Sequence, residues 1–124
     1  MWLFTEYGFF SAVEAYPDLV PDGKETPHVM VRARVREDLE NVQALYEEFF
    51  DMSPPSIMEF NHSDYRYRIV MDSLLWGFIV MQMMARVNYT NFKHRVAEKQ
   101  GPQRAAWYES VWATLWSMGR ELEK

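Results

Sequence analysis

The chain has 124 residues, of which 48% are apolar and 25% charged, and its formal net charge is −5. A chain of this length and composition forms one globular domain, residues 1–124, with no room for a second. The absence of cysteine excludes disulfides, thiolate metal sites and thiol nucleophiles. The acidic net charge argues against bulk non-specific affinity for nucleic acid or anionic membranes.

No segment has the length of a membrane span or the pattern of a secretory signal. The longest apolar run, residues 74–81, is far shorter than the ~20 residues that cross a bilayer. The amino terminus lacks a basic leader, and Glu6 interrupts its apolar stretch. The sequence therefore predicts a cytoplasmic protein without membrane association.

The first half of the chain predicts two strands and a helix. Residues 2–15 are rich in aromatic and β-branched residues and favour one strand, bent at Gly8. Residues 16–28 contain three prolines and predict a mobile, exposed loop. Residues 29–36 predict the second strand, and the acidic residues that follow it open a helix that runs to about residue 50.

The second half predicts two strands and three helices. Paired prolines at 54 and 55 end the first helix because proline cannot continue the hydrogen-bond ladder. The further predicted elements are strands at 56–60 and 65–71, and helices at 74–87, from about 91 to 99 and from 103 onward. The second of these helices is capped by Thr90 or Asn91. We expect Trp76 and Trp112 to lie in the core.

Two of the strands place arginine at every second residue. Successive side chains of a strand point to opposite faces, so each segment has an apolar face and an arginine face. If these strands are neighbours, five of the nine arginines gather on one surface, which is the candidate binding site. The five are Arg32, Arg34, Arg36, Arg66 and Arg68.

The order of elements predicts an α+β fold. A right-handed crossover from the second to the third strand leaves a gap that the fourth strand can fill. The result is a four-stranded, mainly antiparallel sheet of order first, second, fourth, third, a permuted ferredoxin-like arrangement with helices on one face. The residues expected to face the helices are Val29, Val31, Ala33, Val35, Tyr65, Tyr67, Ile69 and Met71.

Several segments carry a resemblance to known sequences. The opening Trp-Leu-Phe-Thr-Glu-Tyr-Gly-Phe-Phe-Ser, with segments 31–34, 64–68, 91–93 and 116–118, resembles a family of short uncharacterised bacterial proteins. The resemblance spans nearly the whole chain and implies that these segments belong to one domain. It implies no activity and assigns no functional residue.

The arginine face has three interpretations. It is a solvated surface whose arginines pair with Glu6, Glu14 or Glu59, or a protein interface, since arginine is enriched in contact surfaces. The third interpretation is a nucleic-acid site, although sheets that bind RNA use exposed aromatic residues on central strands, where this chain has arginine. We expect a protein partner or a homo-oligomer, with nucleic acid as the alternative.

The sequence predicts no cofactor and no metal site. The three histidines, His28, His62 and His94, lack the spacing of metal ligands, and there is no phosphate-binding glycine loop or nucleophile elbow. A small cofactor-free enzyme remains an alternative, and a deep pocket containing Asp64, His62 or Tyr67 would favour it. We expect a non-enzymatic protein-interaction or regulatory module that uses the arginine face.

Overall fold

A computed structural model describes residues 1–23 and 25–124 and divides them into two compact units, residues 1–87 and 88–124. The first unit contains an antiparallel sheet and two helices, and the second contains two helices. The α+β class is therefore confirmed. The elements are β1 (Trp2–Thr5), β2 (Gly8–Glu14), β3 (His28–Ala33), α1 (Arg36–Phe50), β4 (Met58–Glu59), β5 (Tyr67–Asp72), α2 (Ser73–Ala85), α3 (Phe92–Gln100) and α4 (Pro102–Leu122).

The sheet has five strands in the order β1-β2-β3-β5-β4, and every neighbouring pair is antiparallel. The expected adjacency of the two arginine-bearing strands, β3 and β5, is confirmed over six residue pairs. The prediction of four strands is wrong because residues 2–14 form a hairpin instead of one bent strand. The sheet thus keeps the expected order of four strands, with β1 added at its edge. This additional strand is the difference from a ferredoxin-like sheet.

The β1–β2 hairpin is fixed by Thr5, Gly8 and Asp38. The Thr5 hydroxyl oxygen accepts hydrogen bonds from the backbone N–H groups of Tyr7 and Gly8, at 3.1 and 3.2 Å. Gly8 has a φ of +148°, and a Cβ there would lie 2.5 Å from Cγ of the buried Asp38. Asp38 Oδ2 accepts from the N–H of Phe9 at 3.1 Å, which joins the hairpin to α1.

Helices α1 and α2 cover one face of the sheet and enclose the core. The buried side chains are Phe10 and Ala12 of β2, Val31 and Ala33 of β3, Ile69 and Met71 of β5, Leu39, Val42, Leu45 and Tyr46 of α1, and Trp76, Ile79 and Met83 of α2. Val29 and Tyr67 pack against this cluster while partly exposed. These positions confirm the predicted helix-facing side of the two arginine-bearing strands and the burial of Trp76.

Two residues depart from the predicted pattern because both strands are shorter than expected. β3 ends at Ala33, so Val35 is the N-cap of α1 and is exposed. β5 begins at Tyr67, so Tyr65 lies in the preceding turn and contacts Phe9 and Arg32, residues of the opposite sheet face. Val35 and Tyr65 therefore do not face the helices.

In the second unit, α3 and α4 form a helical hairpin around Gly101, whose φ is +92°. Of the two predicted caps, Thr90 and Asn91, the structure has Asn91, whose Oδ1 accepts from the N–H of His94 at 2.9 Å. The rings of Phe92 and Tyr108 stack at 5.9 Å. Trp112 is 51% exposed, so its predicted place in the core is wrong.

The loop of residues 16–28 contains a 3₁₀ turn at Pro17–Leu19, and one of its residues, Lys24, lies outside the described residues. The predicted mobility of this loop stays a prediction. No helix within residues 1–23 and 25–124 is both long and apolar enough to cross a membrane.

We predict that Gly8→Ala lowers the free energy of unfolding by about 3 kcal/mol or more, because the new Cβ overlaps the Asp38 carboxylate and the backbone is strained. Gly23→Ala is the matched control, since Gly23 also has a positive φ but a Cβ there meets nothing within 4 Å. It should lose only about 1 kcal/mol. Chemical denaturation measures both, and equal losses would show that the contact with Asp38 is unimportant.

Candidate functional site

The sheet face opposite α1 and α2 carries a cluster of aromatic and arginine side chains, which we call the platform. Alternation along the strands places it there, since Phe10 and Val31 point into the core and their neighbours Phe9 and Arg32 point the other way. The platform consists of Trp2, Phe4, Phe9, Arg32, Arg34, Phe60, Tyr65 and Arg68.

Arg32 and Arg68 lie directly opposite each other on β3 and β5. Arg68 is only 6% exposed and donates to the backbone oxygen of Tyr65, the hydroxyl of Ser63 and the sulfur of Met30, at 3.2, 2.5 and 3.6 Å. Arg32 donates to the Ser11 hydroxyl at 2.7 Å. All these acceptors are neutral, and the described residues place no carboxylate within ion-pair distance of either guanidinium group.

This arrangement is electrostatically unfavourable in the free chain. Like charges directly opposite in a sheet destabilise the pair, and burying a cation without a counter-ion costs free energy. The neutral hydrogen bonds offset part of that cost but leave the positive charge uncompensated. The two guanidinium groups are therefore suited to an anionic group from outside the chain.

Tyr65 joins two arginines of the platform. The guanidinium carbons of Arg32 and Arg34 both lie over its ring, 4.5 Å from the centroid. The Tyr65 hydroxyl and the Nε of Arg32 are buried without a hydrogen-bond partner among the described atoms. An unsatisfied buried polar group costs about 1–3 kcal/mol, so both atoms favour an added polar partner.

The other predicted arginines have different surroundings. Arg34 is half-exposed and lies 3.8 Å from the Asp64 carboxylate, a long and screened ion pair. Arg66 donates to Glu59 at 2.6 and 2.8 Å, as the solvated-surface interpretation expected. Arg36 begins α1 and is exposed, so it is not on the strand face. Of the five predicted residues, the structure brings together Arg32, Arg34 and Arg68.

The aromatic part of the platform was missed in the sequence because the hairpin was missed. The Phe4 and Phe9 rings stack at 4.4 Å, Trp2 meets Phe9 edge-on at 6.0 Å, and Phe9 lies 6.4 Å from Tyr65. Trp2 is 67% exposed. The signal was the alternation of Trp2 and Phe4 before a short turn that ends in Gly8, a pattern typical of a hairpin.

A cleft of about 870 Å³ lies between the loop of residues 16–28, α1 and the start of α2. Its lining includes Thr26, His28 and Asp72, but none of Asp64, His62 or Tyr67, the residues that would have favoured an enzyme. A hydrogen bond from Thr26 and another from the backbone N–H of Leu74 hold the pKa of Asp72 below its usual range.

The polar groups of this cleft have local structural roles. The Thr26 hydroxyl donates to Asp72 at 2.7 Å, the N–H of Leu74 donates to Asp72 at 2.8 Å, and His28 Nδ1 lies 2.8 Å from the Thr26 backbone oxygen. Asp72 is thus the N-cap of α2 and fastens the loop to it. Within the described part of the chain, no three histidine or acidic residues are grouped as a metal site.

Comparisons of the chain with known protein families, curated proteins and solved structures found no match. The resemblance to short bacterial proteins therefore stays a prediction, and the platform has to be interpreted from its own chemistry.

We predict that Asp72→Ala lowers the free energy of unfolding at pH 7 by about 1 kcal/mol, the usual contribution of a helix cap. Because the folded pKa of Asp72 lies below its unfolded value of 3.8, the contribution is present at neutral pH and is lost as the pH falls through the folded pKa. The stabilities of the wild type and the variant, measured by denaturation, should therefore converge as the pH falls below the folded pKa of Asp72. Asp72→Asn keeps an acceptor at the cap and is the control. A difference between Asp72→Ala and the wild type that does not change with pH would contradict this role of the charge.

Proposed function

We propose that the chain is a non-enzymatic interaction module whose platform binds an acidic segment of a partner protein. The observation that carries the proposal is the facing pair Arg32 and Arg68, whose hydrogen bonds go to neutral acceptors alone. A carboxylate placed beside this pair would form charge-assisted hydrogen bonds and remove the repulsion between the guanidinium groups.

The composition of the platform supports a protein as the partner. Tryptophan, tyrosine and arginine are the residues most enriched at energetic centres of protein interfaces. Arg34 is half-exposed next to partly buried Arg32 and buried Arg68, and Trp2 is exposed at the edge of the cluster. The platform therefore combines an electrostatic centre with an apolar border, which suits a segment with both acidic and apolar side chains.

Single-stranded nucleic acid is the second candidate, because the rings of Trp2 and Phe9 adjoin each other on the sheet face that carries the arginines, although the nearby Tyr65 ring is buried under two guanidinium groups. Bases stack on such rings, and arginine binds the phosphates. The net charge of −5 opposes a long polyanion, and Glu59 and Asp64 border the arginines. These charges favour a partner with a few carboxylates over one with a phosphate at every residue.

The third candidate, a small cofactor-free enzyme, has less support. Two of the titratable groups that line the cleft, His28 and Asp72, are engaged in the local contacts that hold the loop on α2. A general acid or base must lie within hydrogen-bonding distance of a substrate proton and must also have a pKa near the working pH. The lowered pKa of Asp72 disfavours that role at neutral pH.

We predict that a fluorescent peptide of glutamate and phenylalanine binds the full chain and that Arg34→Gln weakens its affinity about tenfold. The loss of one charge-assisted hydrogen bond has this magnitude. Fluorescence anisotropy measures the affinity, and thermal melts check that the half-exposed Arg34 can be replaced without unfolding the chain. Arg120→Gln is the matched control, because it removes the same charge from exposed α4.

The outcomes separate the candidates. An unchanged affinity in Arg34→Gln, or an equal loss in Arg120→Gln, would overturn the platform as the binding site. Tighter binding of an oligothymidine probe than of the peptide, with a steep loss at higher salt, would favour nucleic acid instead.

A further inference from the structure

Helix α4 carries an apolar stripe that its own helical hairpin leaves uncovered. Tyr108, Trp112, Leu115, Gly119 and Leu122 follow one another at alternating spacings of four and three residues, which places them on one side of the helix. Tyr108 is buried. The exposed fractions of the next three large side chains are 51% for Trp112, 52% for Leu115 and 74% for Leu122.

The stripe is uncovered because α3 is too short to cover it. α3 has nine residues, and its first turn reaches α4 at Tyr108 and Trp112, where Phe92 stacks on Tyr108 and the Lys93 ammonium lies 4.9 Å from the Trp112 ring centroid. The chain turns back at Gly101, so the carboxyl-terminal half of α4 continues beyond the first residue of α3. The carboxyl-terminal half of the stripe therefore has no cover within the hairpin.

Gly119 leaves room on this stripe for another helix to come close to the α4 backbone. Glycine inside a helix is less favourable than alanine, so its presence needs a reason. A Cβ at Gly119 would meet nothing within 4 Å in the described chain, and its own structure therefore supplies no steric reason. Small residues allow a neighbouring helix or a large side chain to come close to the backbone.

We propose that α4 pairs with α4 of a second copy of this chain in an antiparallel, two-fold symmetric dimer. In an antiparallel pair centred between Leu115 and Trp116, Trp112 of each copy lies opposite Gly119 of the other. The large indole then fills the space that glycine leaves, and symmetry makes this contact twice. A parallel pair would instead set Trp112 against Trp112 and Gly119 against Gly119, with crowding at one level and a void at the other.

The area of the stripe reaches the lower limit of a specific dimer. Five exposed large side chains lie on the stripe or along its two borders, and at roughly 100 Å² each they provide on the order of 500 Å² per chain, or about the 1,000 Å² in total that a specific interface needs. These side chains are Trp112, Leu115, Trp116, Met118 and Leu122. The centre of the seam, from Trp112 to Gly119, contains no charged residue, so no ion is buried there when two copies meet.

The test is the mass of the full chain by sedimentation equilibrium over a range of concentrations. We expect twice the mass of one chain, and a dissociation constant that Leu115→Glu raises more than tenfold, because it places a carboxylate at the centre of the seam. Ser117→Glu, on the opposite side of α4, is the first control. Met81→Glu, an equally exposed apolar residue on α2, is the second control. Neither should change the mass.

A second pair of variants tests the packing of Trp112 on Gly119. Gly119→Leu makes the stripe more apolar and the helix more favourable, yet it should weaken the dimer at least tenfold because it blocks the indole. Combining Trp112→Ala with Gly119→Trp exchanges the large and small positions and should restore the dimer. A chain that is monomeric at all concentrations, dissociation by Met81→Glu instead of Leu115→Glu, or a tighter dimer in Gly119→Leu would each overturn the proposal.

Discussion

The pairing of β3 with β5 is the constraint on which the rest of the first unit depends. Its register sets Val31 opposite Ile69 beneath the helices and Arg32 opposite Arg68 on the other face. A slip of one residue would turn the arginines into the core and the apolar residues out of it. The hydrophobic core thus determines the register, and the register in turn brings the two arginines together.

The platform shows how a fold accommodates cations that face each other. Arg68 is bonded to the turn before β5, through Tyr65 and Ser63, so the same side chain that concentrates charge also holds the turn. Its guanidinium group lies 4.7 Å from the Phe60 ring centroid, and cation–π contacts of this kind partly replace a missing counter-ion. Such contacts keep the site folded without neutralising it, which leaves the charge available to a partner.

The two candidate surfaces differ in their physical chemistry. The platform is a charged site with buried unsatisfied donors, and its binding should weaken with salt. The stripe of α4 is apolar, and its pairing should resist salt because it depends on area and shape. The two proposals can therefore be tested separately, because substitutions in one surface spare the other.

The sequence by itself determined the class of fold, the adjacency of the two arginine-bearing strands and the burial of Trp76. Period-two alternation and a long apolar helix are local signals strong enough for these conclusions. The positions of Val35, Tyr65 and Trp112 depended on where elements end and on what covers them. Val35 was decided by the end of β3 at Ala33, Tyr65 by the start of β5 at Tyr67, and Trp112 by an α3 too short to cover α4.

Only the tertiary structure revealed the Trp2–Phe9 aromatic series and the distinction between neutralised Arg66 and uncompensated Arg32 and Arg68. The hairpin depends on a close contact between Gly8 and Asp38, residues thirty positions apart, which no local pattern contains. Likewise, alternation shows which arginines share a face, but it does not show their hydrogen-bond acceptors. A turn and a neighbouring strand supply these acceptors. Charge compensation is a property of contacts between distant segments, so the sequence could predict the surface but not its charge balance.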